Sequence, residues 1–264
     1  MKINLRLETP ADYRAVEELT REAFWINTDR RSYIDEHFLV HKLRGSAAFV
    51  PKLDYVAEVN GGLAGNIMYS RAKVISLQGE KHEVLIFGPL SVLPEFQGRG
   101  IGKALVLRTF EEARKLDFTA IVIFGHPDYY PRLGFRRAEE FGLTTASGHT
   151  FPAFMAMELF TGALEGIEGR FYGDAVYDNL PEEEVLAFDA TFPEKTQRPK
   201  VPIELLVDRL RPAAQGSLRT LRLTYLGDMG GIAEDIMCRL PGMDAHALET
   251  IKATMHEHGR IWGK

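Results

Sequence analysis

The chain of 264 residues is 45% apolar and 26% charged, the balance of an ordinary soluble globular protein, and it is long enough for one large domain or two smaller ones. Its net charge of −5 gives no electrostatic case for nucleic acid or an anionic membrane as partner. The single cysteine, Cys238, excludes an intrachain disulfide and favours a cytoplasmic setting.

The opening MKINLRLETP alternates apolar and polar residues and lacks the apolar core of a signal peptide, and no apolar run approaches the length of a membrane span. Ile3, Leu5 and Leu7 predict a strand. Thr9 and Pro10 then predict a helix start, with Thr9 as N-cap and Val16, Leu19, Ala23 and Phe24 on one face. A second helix is expected over 33–43, and residues 25–30 between the two read as a polar loop carrying the bulky Trp25. Residues 54–59 read as a strand, Asn60-Gly61-Gly62 as a hairpin turn, and 63–74 as the returning strand. A fourth strand runs through Val84, Ile86 and Phe87 to Val92, interrupted by Gly88-Pro89.

Pro94 marks a turn, and Gln97-Gly98-Arg99-Gly100-Ile101-Gly102 follows. Leu105, Val106, Phe110, Ala113 and Leu116 form a helical stripe after it, so the local plan is strand, glycine-rich turn, helix. The first turn of a helix has N–H groups without internal partners and carries the positive end of the helix dipole, which suits a phosphate or pyrophosphate. A Walker loop is excluded because Ala104 follows Lys103, and a dinucleotide fingerprint because Lys103 stands where its last glycine belongs. Beyond the helix, 118–124 (FTAIVIF) reads as a strand buried on both faces and paired in parallel, the helix supplying the crossover.

The pattern Gln97, Gly100, Gly102 after a strand ending Leu-Ser-Val resembles motif A of the GCN5-related N-acetyltransferases (GNAT), and Tyr130 to Phe135 (Tyr-x-x-x-Gly-Phe) resembles the second half of that family's signature. The segment Gly125-His126-Pro127-Asp128-Tyr129-Tyr130 is closest to a bacterial-type subgroup of predicted N-acetyltransferases. The resemblance covers roughly residues 1–165. It implies an α/β fold with a mixed, mostly antiparallel central sheet flanked by helices, and acetyl-CoA as cosubstrate without a metal. It further implies that Leu90, Ser91 and Val92 bind the pantetheine arm through their backbones, where the strand ending at Val92 and the strand at 118–124 splay apart. Gly88-Pro89 fits such a break, and a simple β-bulge explains it equally well. The turn residues Gln97, Gly98, Arg99, Gly100, Ile101, Gly102 and Lys103 are implied to hold the pyrophosphate. Tyr130 is implied as the acid that protonates the leaving thiolate, with Tyr129 as its rival. The loop 25–30 is either part of the acceptor wall or an ordinary interhelical loop.

The expected activity is therefore transfer of an acetyl group to a primary amine of a small molecule or peptide, by direct attack. The alternative is a non-catalytic acyl-CoA sensor acting through its C-terminal unit. Glu22, Glu58 and Glu83 are open as general bases, and a homo-oligomer is not excluded. Residues 166–264 are expected to form a small appended α+β unit, separate or packed on the first domain. It would have helices over 203–210 and 244–258 and a strand at Leu221, Leu223 and Tyr225. His37 and His41, four residues apart, lack the glutamate of a zinc-protease motif and read as ordinary histidines, and His256-Glu257-His258 reads as solvated. Cys238 reads as a buried structural thiol, and Arg136-Arg137 as a solvated strand end that could reach the adenosine 3′-phosphate.

Overall fold

The computed structural model describes residues 1–25, 34–195, 201–232 and 234–258. They divide into two units, Met1–Ala23 with Asp35–Thr191 and Phe24–Ile34 with Phe192–Lys264. The first unit opens with β1 (Ile3–Leu7), α1 (Tyr13–Trp25) and α2 (Glu36–Leu43), followed by β2 (Tyr55–Val59), β3 (Gly62–Ser76) and β4 (Lys81–Val92). Then come α3 (Ile101–Lys115), β5 (Ala120–Phe124), β6 (Arg136–Arg137), β7 (Leu143–Thr145), β8 (Phe154–Glu158), β9 (Gly169–Tyr172) and α4 (Glu182–Asp189). The sheet runs β1-β2-β3-β4-β5-β8-β6, and β4–β5 is a parallel pair within an otherwise mostly antiparallel order. The β2–β3 turn has positive φ at Asn60 (52°) and Gly61 (83°), as a two-residue hairpin requires.

β3 is the spine of this sheet. β4 pairs along one of its edges, whereas β2 takes the first half of the other edge and β9 the second half. The β9 pairing is close: a Cβ on Gly169 would lie 2.2 Å from the Ile75 carbonyl oxygen, so only glycine is accommodated there.

Alternation along the strands gives the sheet two apolar faces. Ile67, Tyr69, Leu85, Phe87, Ile121 and Ile123 meet α3, whose Ile101, Leu105, Val106 and Phe110 are all buried. At roughly 1.5–3 kcal/mol for each fully buried large side chain, this stripe holds the helix on the sheet. The opposite face is covered near α1 and α2 by Val16, Val40 and Leu43 on Val56 and Met68. Farther along it, Leu143, Leu164 and Phe171 cover Ala72, Val74, Val84, Ile86, Ala120 and Val122.

Several elements differ from expectation. Thr9 and Pro10 belong to a turn in which the Thr9 hydroxyl and amide bond the Asp12 carboxylate, and the helix itself starts at Tyr13. The helix expected over 33–43 is described from Glu36, and residues 26–33, including most of the expected 25–30 loop, lie outside the described residues. The first unit runs on to Thr191, past the boundary expected at 165, because β9 adds to the sheet and α4 docks on α1 and α2. Arg21 holds Asp189 with contacts of 2.6 and 2.9 Å, and Phe188 packs on His37 and Phe38 at 5.4 and 5.3 Å.

The second unit carries α5 (Glu204–Val207), α6 (Pro212–Thr220), α7 (Glu234–Met237) and α8 (Ala245–Glu257), the last capped by Asp244 through a 2.9 Å bond from the Ala247 amide. Its own core is built from Leu206, Leu210, Leu218, Met229 and Ile251. Leu221, Leu223 and Tyr225 form no strand. Arg222 adopts a left-handed φ of 52° and Tyr225 makes one isolated bridge to Pro202, so among the described residues this unit is helical rather than α+β.

Candidate functional site

The site grows from the way β4 ends. Ile67 pairs with Leu90 and Tyr69 with Phe87, so two steps along β3 face three along β4, and the extra residue bulges at Gly88-Pro89. Among the described residues, β5 meets β4 at the single pair Leu85–Ile121 and then departs. The bulge and the splay thus coincide, and from Leu90 to Val92 the edge of β4 turned away from β3 has no strand against it.

After β4 the chain turns through Pro94–Phe96, and Gln97 ties the turn back by donating from Nε2 to the Val92 carbonyl at 3.0 Å. Gly98 and Gly100 have φ of 71° and 86°, left-handed values that penalise any side chain. Gly100 is the N-cap of α3. The first intrahelical bond runs from the Ala104 amide to the Gly100 carbonyl at 2.9 Å, so the N–H groups of Ile101, Gly102 and Lys103 precede it and have no partner within the helix. Gly65 on β3 makes this placement possible. A Cβ there would lie 2.8 Å from the Ser91 carbonyl oxygen and 3.1 Å from the Ile101 side chain, so glycine lets the first turn of α3 sit tight against the end of β4.

The result is a cavity of ≈ 520 Å³ walled by Leu90, Val92, Phe96 and the turn from Gln97 to Lys103, and closed by Tyr129, Arg132 and Leu133. Lys103 and Arg132 bring two cations to the helix terminus. Arg99 instead lies over the Phe96 ring at 5.9 Å. The Ser91 side chain points to the other face of the sheet, buried with Thr20 at 3.2 Å.

The paired tyrosines part company. Tyr129 lines the cavity, its hydroxyl 3.5 Å from where a Gly102 Cβ would sit. Tyr130 is not among the lining residues. Its ring packs at the mouth of the splay, against Phe87 at 5.8 Å, Phe135 at 5.5 Å and Tyr129 at 5.0 Å. Gly125, just past β5, makes room for it: a Cβ there would be 2.3 Å from the Tyr130 ring. Burial pushes the Tyr130 phenol well above its ordinary value, with the neighbouring Tyr129 adding to the effect, and burial also raises Tyr129.

The remaining sequence candidates do not converge on this cavity. Glu58 is held by Asn4 and Arg6, both at 2.8 Å, on the β1–β2 side of the sheet, and Glu83 faces Arg71 at 3.5 Å near the start of β4. Glu22 lies on α1. His37 is buried, which lowers its pKa to about 4 against the pull of Asp189, and His41 pairs with Glu17 at 3.0 Å. Arg136 and Arg137 are exposed and paired with Glu140 and Glu139. Cys238 is exposed, not buried, because it follows the short α7 on the outer side of its turn, where Met237 takes the inward position. No cluster of three or more metal-ligating side chains occurs among the described residues, and none of their helices is long and apolar enough to cross a membrane. Arg132, Gly65 and the space-making role of Gly125 escaped the sequence reading. The two glycines had a signal, since an isolated glycine in or beside an apolar strand marks a close approach; Arg132 had none.

A family model described as an acetyltransferase (GNAT) domain matches residues 53–137. The uncharacterized N-acetyltransferase YjhQ of Escherichia coli strain K12 is 33% identical over 112 residues, a match spanning 42% of this chain and 60% of that protein. The uncharacterized N-acetyltransferase YhbS of the same strain is 27% identical over 165 residues, 62% of this chain and 92% of its own length. The crystal structure of YhbS in complex with CoA aligns with a TM-score of 0.59 at 26% identity, covering 69% of this chain and 94% of that one. A GNAT family acetyltransferase from Brucella melitensis in complex with acetyl-CoA aligns with a TM-score of 0.53 at 25% identity, covering 67% and 99%.

Proposed function

We propose that this chain, whose residues 53–137 match an acetyltransferase (GNAT) domain, transfers an acetyl group from acetyl-CoA to a primary amine by direct attack. The observation that carries the proposal is that the unpaired edge of β4 and the glycine N-terminus of α3 open into one cavity. The residues there fit the coenzyme. Left-handed glycines leave the space over the turn free of side chains, and a Cβ at Gly98 or Gly100 would meet nothing within 4 Å. When bound, acetyl-CoA supplies the acyl group already activated as a thioester.

The N–H groups of Ile101, Gly102 and Lys103 bind the pyrophosphate, with Gly98, Arg99 and Gly100 shaping the approach and Lys103 and Arg132 adding charge. Gln97 keeps the turn registered on β4 through the Val92 carbonyl. Leu90, Ser91 and Val92 present the strand edge to the pantetheine arm. An N–H of that edge polarises the acyl carbonyl, a role that preorganised donors perform without reorganisation cost. The neutral amine nitrogen forms the new C–N bond as the C–S bond breaks, Tyr130 Oη gives its proton to the departing sulfur, and the proton that the nitrogen sheds on becoming an amide passes to solvent, from which the phenolate is reprotonated. Because burial raises the Tyr130 pKa, the phenol is protonated throughout the neutral range, as an acid must be. Holding both reactants in one splayed sheet supplies a large share of the rate.

The test separates binding from chemistry. Calorimetric titration should show CoA binding to the intact protein, and a thiol-release assay with a mixed amine library should show turnover. Tyr130→Phe should lower kcat by about 10²–10⁴ with KM for acetyl-CoA nearly unchanged, while Tyr129→Phe should leave kcat close to that of the parent. A crippled Tyr129→Phe beside a normal Tyr130→Phe would transfer the acid role to Tyr129. CoA binding without turnover of any amine would replace the enzyme with a non-catalytic acyl-CoA sensor.

A further inference from the structure

The splay has a second side. On the face away from α3 the first unit opens a cavity of ≈ 470 Å³ whose walls include Ile86 from β4, Phe124 from β5, Phe171 from β9, and Thr145, Tyr177 and Asp178 from the segments around them. Ile86 and Phe124 belong to the two strands that part after Leu85–Ile121, so this cavity and the one at α3 flank the same opening from opposite faces. Tyr177 fixes its wall to that opening, donating its hydroxyl hydrogen to the Gly88 carbonyl at 3.2 Å.

The cavity is aromatic to an unusual degree. Phe124 lies 5.2 Å from Phe154 and 5.9 Å from each of Phe171 and Phe151. Yet Phe124 is 51% exposed and Phe151 44%, so two stacked rings of this group face outward. Uncovered aromatic surface beside a cavity marks a ligand site rather than a packing element. Its charge is as informative. Asp178 is the one carboxylate among the residues lining it, and no lysine or arginine is among them, although Arg170 donates to the carbonyl of the lining Ala146 at 3.4 Å. A substrate carrying phosphate or carboxylate would meet the Asp178 carboxylate with no lysine or arginine in the wall itself to offset it. A polyamine or aminoglycoside would place several cations against one carboxylate and leave the phenyl rings unused.

We propose that this cavity selects an arylalkyl monoamine as acyl acceptor, its aromatic body stacked on Phe124 and Phe171 and its cationic form drawn in by Asp178. The assignment rests on the acyl-transfer reading above, because that reading makes the opening at the splay the place of reaction. The substrate class follows from the cavity alone.

The experiment measures binding directly, apart from turnover. 2-Phenylethylamine is titrated into the intact protein by calorimetry, alone and with saturating CoA, beside spermidine and tobramycin, and the same amines are tested for thiol release. Phenylethylamine is expected to bind saturably and at least about tenfold more tightly than the polycations, since aromatic pairing adds to the burial of its ring. Phe124→Ala should weaken it about tenfold and leave CoA binding unchanged. Asp178→Asn, at an exposed position where folding is not at risk, should weaken it about threefold at low salt and less at high salt. Tighter binding of spermidine or tobramycin, or indifference of phenylethylamine to both variants, overturns the assignment. Turnover of another amine class while phenylethylamine fails to bind overturns it and leaves the acetyltransferase standing. Phenylethylamine binding without CoA binding upholds the cavity's selectivity and removes the acyl-transfer reading.

Discussion

The two cavities that flank the splay are built on opposite principles. The one at α3 is made of main chain: an open strand edge, three helical N–H groups and glycines that keep side chains away. The one on the far face is made of side chains, with Phe124, Phe171, Tyr177 and Ile86 brought together from four separate segments. A ligand whose phosphate never varies is met by backbone, which mutation cannot easily alter. A ligand that differs between related enzymes is met by side chains, which mutation alters freely.

If that contrast is right, adding atoms should damage the α3 side far more than removing them. Gly100→Asp and Gly102→Glu each put a side chain and a negative charge at the proposed pyrophosphate site, and should weaken CoA binding by about 100-fold or more in calorimetric titration, the loss of a few charge-assisted hydrogen bonds. Near-normal affinity in folded variants would remove the site.

Gly125→Ala tests the bridge between the two sides. Its methyl group would displace the Tyr130 ring, and misplacement by about 1 Å is expected to lower kcat by roughly 10–100-fold. The Kd for CoA should hold, because the glycine turn is untouched. A variant that loses both together would show that Gly125 serves packing alone.

Removal of side chains from the α3 cavity should cost less. Arg132→Ala and Lys103→Ala are each expected to weaken CoA about 3–10-fold, an effect that shrinks as salt rises. A loss of about 100-fold from either, insensitive to salt, would break the contrast by showing that this side also depends on particular side chains. The smallest effect belongs to Gln97→Leu. It frees the Val92 carbonyl and should cost about 1 kcal/mol in affinity or in stability by denaturant titration.

The same contrast explains what the sequence made legible. Backbone sites need glycines at fixed offsets, so Gln97, Gly100 and Gly102 announced theirs in a continuous string, and Tyr130 to Phe135 announced the segment opposite. The far cavity left no such string. Phe124 reads as one more residue of a buried strand, and Phe171 sits in a four-residue strand whose partner, β3, lies about a hundred residues earlier. Long-range pairing of that kind is invisible to local periodicity. The expected strand at Leu221, Leu223 and Tyr225 failed for the converse reason: alternation over five residues is too short to exclude a turn, and Arg222 turns there.

The division of β3 between two neighbours has an evolutionary consequence. Its first half, beside β2, carries the strand positions paired with Leu90 to Val92, and its second half carries β9. Residues 159–178, which follow β8 and carry β9, therefore hang from one end of a strand whose other end lies at the proposed CoA site. Lengthening, shortening or replacing that excursion would recast the proposed acceptor wall while the half of β3 beside the proposed CoA site keeps its register. A descendant could inherit a new substrate by exchanging about twenty residues after β8, with Gly169 against Ile75 as the joint at which the new piece must fit.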